Sequence, residues 1–424
     1  MTNIYQQYIR ILEEELIPAM GCTEPIAIAY GAAYARALLG EIPEKTHIIV
    51  SGNLVKNAKS VTVPNTGGLR GIEASVAAGI IAGKPEKLLE VIADVTSSDI
   101  EKICEDLEKD VIEVELGESP LAFDYTITAG SGDNKVLIRV ANAHTNIVRC
   151  EKNGEILINI PVEDEKCTGL CDHSCLSIEN IVKFAEEIDL ELVAPLLERQ
   201  IEYNTAIAEE GLSGNWGACI GRTIIDCCGN DVVNRAKARA AAGSDARMNG
   251  CSLPVVILSG SGNQGITASV PVVTYAEHLN ASRERLLRAL LIADLTAIHL
   301  KTDIGRLSAF CGVVCAGAGA GAGICYLEGG GFKEIAHTVV NTLAISSGII
   351  CDGAKASCAG KIALSVEAGI LGWNMYKSGN QFYGGDGIIT KGVEKTIKNV
   401  GRLGHYGMKT TDREILEIML EIEN

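Results

Sequence analysis

Three cysteines in the C-terminal third of the chain have the residue type and the surroundings for metal chemistry. Cys311 lies in GRLSAFCG, and Cys351 and Cys358 lie in IICDGAKASC. Each is near glycine, which lets the backbone approach a bulky ligand and adopt positive φ at little steric cost. Cysteine thiolates are the usual ligands of iron–sulfur clusters. Three of them would leave one iron of a cubane open, as Lewis-acid catalysis requires.

Two alternatives stand beside this prediction. The three thiols could be inert core residues, because free cysteine is among the most buried residue types. The segment CTGLCDHSC could instead bind a metal, through Cys167, Cys171, Cys175 and His173. Its spacing fits no zinc or iron–sulfur pattern, and it lies in a polar connection rather than beside glycines.

Cys22 is a candidate reactive thiol. It stands in PAMGCTEP, directly before the apolar run IAIAYGAAYARALL. Thr23 as an N-cap and Pro25 in the first turn predict that a helix starts here. A helix N-terminus favours anions and can lower the pKa of a thiol from about 8.5 to about 3.5–7.5. The position therefore predicts a reactive thiolate, and a cysteine that only packs at a turn is the alternative.

Two glycine-rich turns could hold a carboxylate. The first, Thr66, Gly67 and Gly68, follows a predicted strand at 60–64 and precedes the helix IEASVAAGIIAG. The second follows the strand-like run LPVVIL, and its candidate binding residues are Ser259, Ser261, Gly262, Asn263 and Gln264. Backbone N–H groups at such junctions bind anions. The second turn also has the form G-x-G-x-x-G, but the acidic residue of a dinucleotide site is missing about 20 positions on.

The composition limits the possible partners and the compartment. The net charge of −17 argues against nucleic acid and anionic membranes as partners and leaves a small molecule as the ligand. Fifteen cysteines, an odd number, with no recognisable signal peptide predict a reducing, cytoplasmic environment. The charge-free run 307–327 is long enough to span a bilayer, but its five glycines favour a buried helix instead.

The elements that must position these residues predict an α+β protein. Five short β runs between residues 112 and 161, separated by Asp, Gly and Asn, predict a small antiparallel sheet, and residues 46–51 predict a further strand. From residue 177 onward the pattern is mostly helical. We therefore expect a mainly helical, cluster-binding catalytic domain from residues 1–95 and 170–424, with a small α+β domain at 96–169. A homo-oligomer is compatible with this arrangement.

The motifs PAMGCTEP, VPNTGGLRG, SGSGNQG, GRLSAFCG and IICDGAKASC, in this order, resemble the L-cysteine desulfidase family, which is related to the oxygen-sensitive iron–sulfur L-serine dehydratases. The resemblance covers nearly the whole chain. It implies one four-iron, four-sulfur (4Fe-4S) cluster per chain, held by Cys311, Cys351 and Cys358, and it places Cys22 at the catalytic cysteine. The dehydratases carry a further C-terminal cysteine that can cap the open iron. Here no cysteine follows Cys358, which favours the desulfidase.

The resemblance implies α,β-elimination of L-cysteine to sulfide, pyruvate and ammonia. The thiolate of Cys22 would remove the α-proton, or Cys22 would instead protect the open iron at rest. The substrate carboxylate would lie on the two glycine-rich turns. Three alternatives remain: an iron–sulfur L-serine dehydratase, a non-catalytic cluster-binding redox sensor, and a pyridoxal-phosphate lyase. The last would need a Schiff-base lysine, and no lysine has a context that marks it as one.

Overall fold

The computed structural model describes residues 3–162 and 171–421, and helices dominate this part of the chain. A six-stranded sheet and a two-stranded sheet complete it, so the predicted α+β class is confirmed.

The helices are α1 (Asn3–Glu15), α2 (Thr23–Leu39), α3 (Gly52–Ala58), α4 (Gly71–Ala82), α5 (Ser97–Glu108), α6 (Ile178–Glu187), α7 (Ala194–Ser213), α8 (Ile220–Cys228), α9 (Val232–Met248), α10 (Gly262–Leu279), α11 (Arg283–Thr302), α12 (Gly312–Leu327), α13 (Phe332–Ser346), α14 (Cys358–Lys377), α15 (Val393–Arg402) and α16 (Lys409–Glu421). The strands are β1 (Pro18–Met20), β2 (Lys45–Val50), β3 (Ile112–Leu116), β4 (Asp124–Ser131), β5 (Asn134–Ala141), β6 (Ile147–Lys152), β7 (Glu155–Asn159) and β8 (Pro254–Val256).

The large sheet is mixed rather than purely antiparallel. Its strand order is β3-β2-β4-β5-β6-β7, and only the β2–β3 pair is parallel among the described residues. The parallel pair arises because β2 and β3 are joined by a long crossover that contains α3, α4 and α5, rather than by a hairpin. The predicted strand at 46–51 is therefore present as β2, within this sheet. The domain boundaries near residues 95 and 170 stay a prediction.

The predicted strand at 60–64 is wrong. Thr62 makes a single isolated bridge to Arg70 across the glycine-rich turn, and the chain forms no ladder there. Asn65 has φ +61° and Gly67 has φ +71°, so the chain reverses before a strand can extend. The β-branched residues that suggested a strand, Val61, Thr62 and Val63, are buried without belonging to a sheet ladder.

Helix α12 is the central helix of the helical layer. Its Gly-Ala sequence is buried almost throughout, and it packs against α10, α11, α13 and α14. The small residues let these backbones approach closely, which confirms that the charge-free run is a buried helix. In the described ranges, no helix is long and apolar enough to cross a membrane.

We expect Gly319→Ala, in the middle of α12, to destabilise the protein by about 1–3 kcal/mol. A Cβ at this position would overlap the carbonyl oxygen of Ala293 on α11 and press on Ala297, and two packed helix backbones cannot separate cheaply. Gly360→Ala in α14 is the matched control, because nothing lies within 4 Å of its Cβ position. That change should stabilise by up to about 1 kcal/mol through helix propensity. Urea denaturation of the two variants measures both effects, and equal midpoints would contradict this packing.

Asp294 on α11 makes stability depend on pH. It is fully buried, its Oδ1 accepts a hydrogen bond from Gln200 Nε2 at 3.0 Å, and burial raises its pKa to about 7. The folded-state pKa lies above the unfolded value, so this contribution to stability is complete below about pH 4 and is lost as pH rises through 7. We expect Asp294→Asn to be the more stable protein at pH 8, by up to about 4 kcal/mol, and similar to wild type near pH 4. Urea midpoints at the two pH values test this, and a pH-independent difference would refute it.

The two-stranded sheet brings two distant segments of the chain together. β1 pairs antiparallel with β8, with Ala19 opposite Val255, and Ile257 N–H donates to Ile17 O at 3.0 Å. β1 leads directly to Cys22, and β8 leads directly to the turn that begins at Ser259. The small sheet therefore places these two sequence-predicted sites side by side.

Candidate active site

The predicted helix start is present, but the N-cap of α2 is Cys22 itself, one residue before the predicted N-cap Thr23. The preceding Gly21 has φ +51° and lies against Pro64. The next residue, Thr23, donates its hydroxyl to Gly260 O at 2.9 Å. This bond fixes the start of α2 on the turn that follows β8.

The thiol of Cys22 is protonated rather than a thiolate. It is 2 % exposed, and its Sγ donates to Glu24 Oε2 at 3.0 Å. Burial, and then the carboxylate of Glu24, raise the pKa of Cys22 well above its ordinary value, although Arg247 acts in the opposite direction. The expected lowering of this pKa is therefore wrong, because burial and a neighbouring anion outweigh the helix N-terminus.

Cys311 and Cys351 lie side by side. An isolated bridge pairs Phe310 with Ile350, and Cys351 N–H donates to Ala309 O at 2.7 Å. The interaction between the thiols of Cys311 and Cys351 raises the pKa of Cys311 and lowers that of Cys351. The bridge thus joins two cysteines that are far apart in sequence.

Cys358 completes the group of three. It is the first residue of α14, and it packs against the small apolar cluster of Cys22, Val61 and Met248. Its charge also contributes to the raised pKa of Cys311. The three predicted cluster cysteines therefore converge, and they do so beside Cys22.

Two buried lysines face these thiols. Lys56 on α3 is paired with Asp412 of α16, and its Nζ lies 3.4 Å from Cys351 O. Lys301, at the end of α11, is 4 % exposed and is close enough to Cys351 for the thiol to influence its pKa. No carboxylate of the described chain forms a salt bridge with Lys301. Burial lowers the pKa of Lys301, and thiolate forms of the neighbouring cysteines would stabilise its charged form.

The donor set fits an iron–sulfur cluster better than a single ion. Over the described residues, no group of three or more His, Cys, Asp or Glu side chains is arranged to hold one metal ion. Three converging thiols next to two ammonium groups instead suit a larger, anionic group with thiolate ligands. Cys311, Cys351 and Cys358 are the residues that would hold it.

The turn that follows β8 contacts both the Cys22 and the Cys311 sides of the site. Ser261 is the N-cap of α10, and Gly262 is its first residue. Asn263 Oδ1 accepts from Arg247 Nη1 at 3.1 Å. Gln264 packs on the backbone of Gly312, where a Cβ would come within 2.5 Å of its amide carbon. The turn thus lies where a ligand between Cys22 and Cys311 would meet it.

The turn at residues 66–68 is less directly connected. The hydroxyl of Thr66 is buried and donates to Val63 O at 2.7 Å, within its own turn. Gly67 and Gly68 are exposed, and the atoms nearest to Gly67 belong to Ile100 of α5. Its link to the site is Pro64, which packs against Gly21. A carboxylate site on this turn stays a prediction.

The second cysteine segment has hydrogen-bonded, protonated thiols in its described part. Cys167 lies outside the described residues. Cys171 Sγ donates to Glu14 Oε1 at 3.2 Å, and burial together with that contact raises the pKa of Cys171 to about 11. Cys175 Sγ donates to Asp172 O at 3.5 Å. These partners are those of neutral thiols rather than of metal ligands.

The structure adds site residues that the sequence did not reveal. His144, in the turn between β5 and β6, is buried with its ring at 4.9 Å from that of Phe123, and its Cε1 is 3.0 Å from the Cβ position of Gly260. Burial lowers the pKa of His144 to about 4, so its ring is neutral, and its Nε2 has no partner in the described structure. Arg247 is 2 % exposed. A charged residue in the alanine-rich run ARAAAGSDARM could have marked Arg247 as a site residue. Nothing in the sequence around His144 marked that residue.

A cleft of about 1650 Å³ opens beside this group. Its walls are the loop between β3 and β4, the start of α3, the end of α11 with the loop that follows, and α16. Lys56, Lys301 and Ser259 line it. Because Lys56 and Lys301 also face Cys351, the cleft and the thiols share one wall.

This geometry agrees with comparisons to known proteins. Residues 86–417 match the model of the serine dehydratase alpha chain family, so the chain belongs to that family. Its relatives include UPF0597 proteins of Desulfitobacterium hafniense, 59 % identical over 98 % of this chain and 97 % of that protein, and of Lachnoclostridium phytofermentans, 48 % identical over 98 % and 100 %. A UPF0597 protein of Treponema denticola is 45 % identical over 98 % of both chains.

Membership of this family indicates a lyase-type enzyme with a dehydratase-like role. Such a reaction removes a group from the β-carbon of a small amino acid after a proton leaves the α-carbon. The family is iron–sulfur dependent in general, which agrees with the converging thiols.

Proposed function

We propose that the protein is an iron–sulfur L-cysteine desulfidase that converts L-cysteine to sulfide, pyruvate and ammonia. One observation carries the proposal: Cys311, Cys351 and Cys358 converge beside Cys22 and the turn at residues 259–264. Thiolate ligands, a proton-transfer residue and an anion-binding turn are the parts that this elimination needs.

Cys311, Cys351 and Cys358 would hold one 4Fe-4S cluster. When bound by three thiolates, such a cluster supplies an open iron position whose Lewis acidity makes the leaving sulfide more stable. Lys56 and Lys301 offset the negative charge of the thiolates from within the protein.

Cys22 is proposed to take the α-proton. Since the thiol of Cys22 is the donor in a hydrogen bond to Glu24, it must lose its proton before it acts as a base. Its pKa is raised, so the thiolate fraction and the turnover should both increase with pH in the alkaline range. The substrate carboxylate would be held by the N–H groups of the turn at 259–264, with the amide of Gln264 and the guanidinium of Arg247 beside them.

L-Serine dehydration is the second candidate function, because the matching family is that of the serine dehydratase alpha chain. It uses the same residues, with hydroxide in place of hydrosulfide as the leaving group. The resemblance of the five sequence motifs to the desulfidase family supports the desulfidase over the dehydratase.

Side-by-side assays decide between the two. Protein purified without oxygen is given L-cysteine or L-serine, and sulfide and pyruvate are measured. A higher kcat/KM for L-cysteine, with equal yields of sulfide and pyruvate, supports the desulfidase. A higher kcat/KM for L-serine would assign the dehydratase, and no pyruvate from either amino acid would refute both.

A further inference from the structure

Glu15, the last residue of α1, has an unusual carboxylate. The residue is 3 % exposed, yet it lines the large cleft. Its Oε1 accepts from Arg306 Nη2 at 2.8 Å, whereas its Oε2 has no hydrogen-bond partner within the described residues. A buried acceptor left without a partner is costly. This oxygen is therefore ready to accept a hydrogen bond from a ligand.

The position of Glu15 links it to the thiol site. Arg306 Nη1 lies 3.2 Å from the Cβ position of Gly260, in the turn that follows β8. Gly260 O in turn accepts from Thr23, the residue after Cys22. The free oxygen of Glu15 is thus connected to Cys22 through two side chains and one turn.

Neighbouring protein groups do not fill this role. His173 Nε2 lies 4.0 Å from Glu15 Oε1 and is also without a hydrogen-bond partner in the described ranges, while its Nδ1 is bonded to Thr302 Oγ1 at 3.1 Å. Burial lowers the pKa of His173, so its ring is neutral at pH 7. No donor among the described residues therefore reaches Glu15 Oε2.

The charges around the cleft indicate which kind of ligand supplies that donor. Its lining contains seven Lys and Arg side chains and five Asp and Glu side chains, although the whole protein carries −17. A ligand that enters it meets cationic walls, among them Lys301, and one buried carboxylate with a free oxygen. A zwitterion with a carboxylate and an ammonium group matches both features.

We propose that Glu15 Oε2 accepts a hydrogen bond from the α-ammonium of the amino-acid substrate. This assignment rests on the proposed function for the identity of the substrate, and it adds a specificity residue that the sequence motifs do not contain. Arg306 holds the carboxylate of Glu15 in place, and the substrate carboxylate stays on the turn at residues 259–264, which reaches the cleft at Ser259. Glu15 thereby distinguishes α-amino acids from simple carboxylic acids.

Two unreactive ligands test this assignment in equilibrium binding to the full-length protein. L-2-Aminobutyrate has the shape of L-cysteine with a methyl group in place of the thiol, and butyrate differs from it only by the missing ammonium. We expect wild type to prefer L-2-aminobutyrate, and Glu15→Gln to weaken its binding about tenfold or more while butyrate binding stays the same. Glu14→Gln is the matched control, because Glu14 bonds to Cys171 instead.

The same experiment separates binding from structural damage. If Glu15 only supports Arg306, Glu15→Gln weakens both ligands equally, and this result would overturn the proposal. Equal affinity of wild type for the two ligands, or no loss in Glu15→Gln, would also overturn it. If Glu15→Gln does not fold, Glu15→Asp is measured instead. This variant keeps the negative charge and should retain part of the preference for L-2-aminobutyrate over butyrate. Selective binding of L-2-aminobutyrate by a protein that turns over no amino acid would contradict the proposed function but not the assignment of Glu15.

Discussion

We expect Cys311→Ala to lose both iron and turnover in protein purified without oxygen. Cys311 lies at the N-cap of α12, its thiol is close enough to Cys351 to change its pKa, and its backbone N–H donates to Ile349 O at 3.1 Å. Without this thiol, two ligands remain for a group that needs three. Loss of a neighbouring, non-ligand contact already lowers metal affinity about 10–100-fold, so loss of a ligand should cost more than about 100-fold in turnover.

The matched control for this prediction is Cys325→Ala. Cys325 is also buried on α12, but it lies at the other end of the helix, and burial raises its pKa to about 12. We expect this variant to keep its iron and its activity. Iron content, the visible spectrum and sulfide release are measured on both proteins. Full iron content in Cys311→Ala would show that Cys311 is not a ligand of the cluster.

Cys22→Ala has the second largest expected effect. Unlike Cys311→Ala, it should lower turnover without lowering the iron content. The variant should keep its iron, because in the wild-type protein the Cys22 thiol bonds to Glu24 rather than to the three cluster cysteines. Turnover should fall about 10²–10⁴-fold, the usual loss when a proton-transfer group is removed. Iron analysis and single-turnover assays on the same sample separate the two properties.

Cys150→Ala is the matched control for Cys22→Ala, since Cys150 is equally buried but lies in the large sheet on β6. It should be fully active. Near-normal turnover in Cys22→Ala with intact iron would show that another residue takes the α-proton, and His144 is then the first to test. Loss of iron in Cys22→Ala would instead support a role for Cys22 in protecting the open iron.

Much of this arrangement could be predicted from local sequence. The strand runs between residues 112 and 161 and the helices after residue 177 follow from periodicity and turn residues, and both are present. The start of α2 at Cys22 follows from its helix-start residues. The five motifs identified the cysteines that converge, although their spacing did not show how they meet.

The rest depended on contacts between distant parts of the chain. The bridge between Phe310 and Ile350 and the β1–β8 pair join segments with no shared pattern. The strand predicted at 60–64 failed because a left-handed turn at Asn65 outweighed β propensity. The pKa of Cys22 is raised rather than lowered. The helix start could be predicted from the sequence, but the burial of the thiol and its contact with Glu24 could not.

The most direct test of the central claim is an iron titration without oxygen. Iron-free protein is reconstituted stepwise with iron and sulfide, and sulfide release from L-cysteine is measured at each step. We predict that activity and brown colour rise together and reach a plateau at about four irons per chain. Full activity in the colourless, iron-free protein would contradict the claim that three cysteines hold a catalytic cluster.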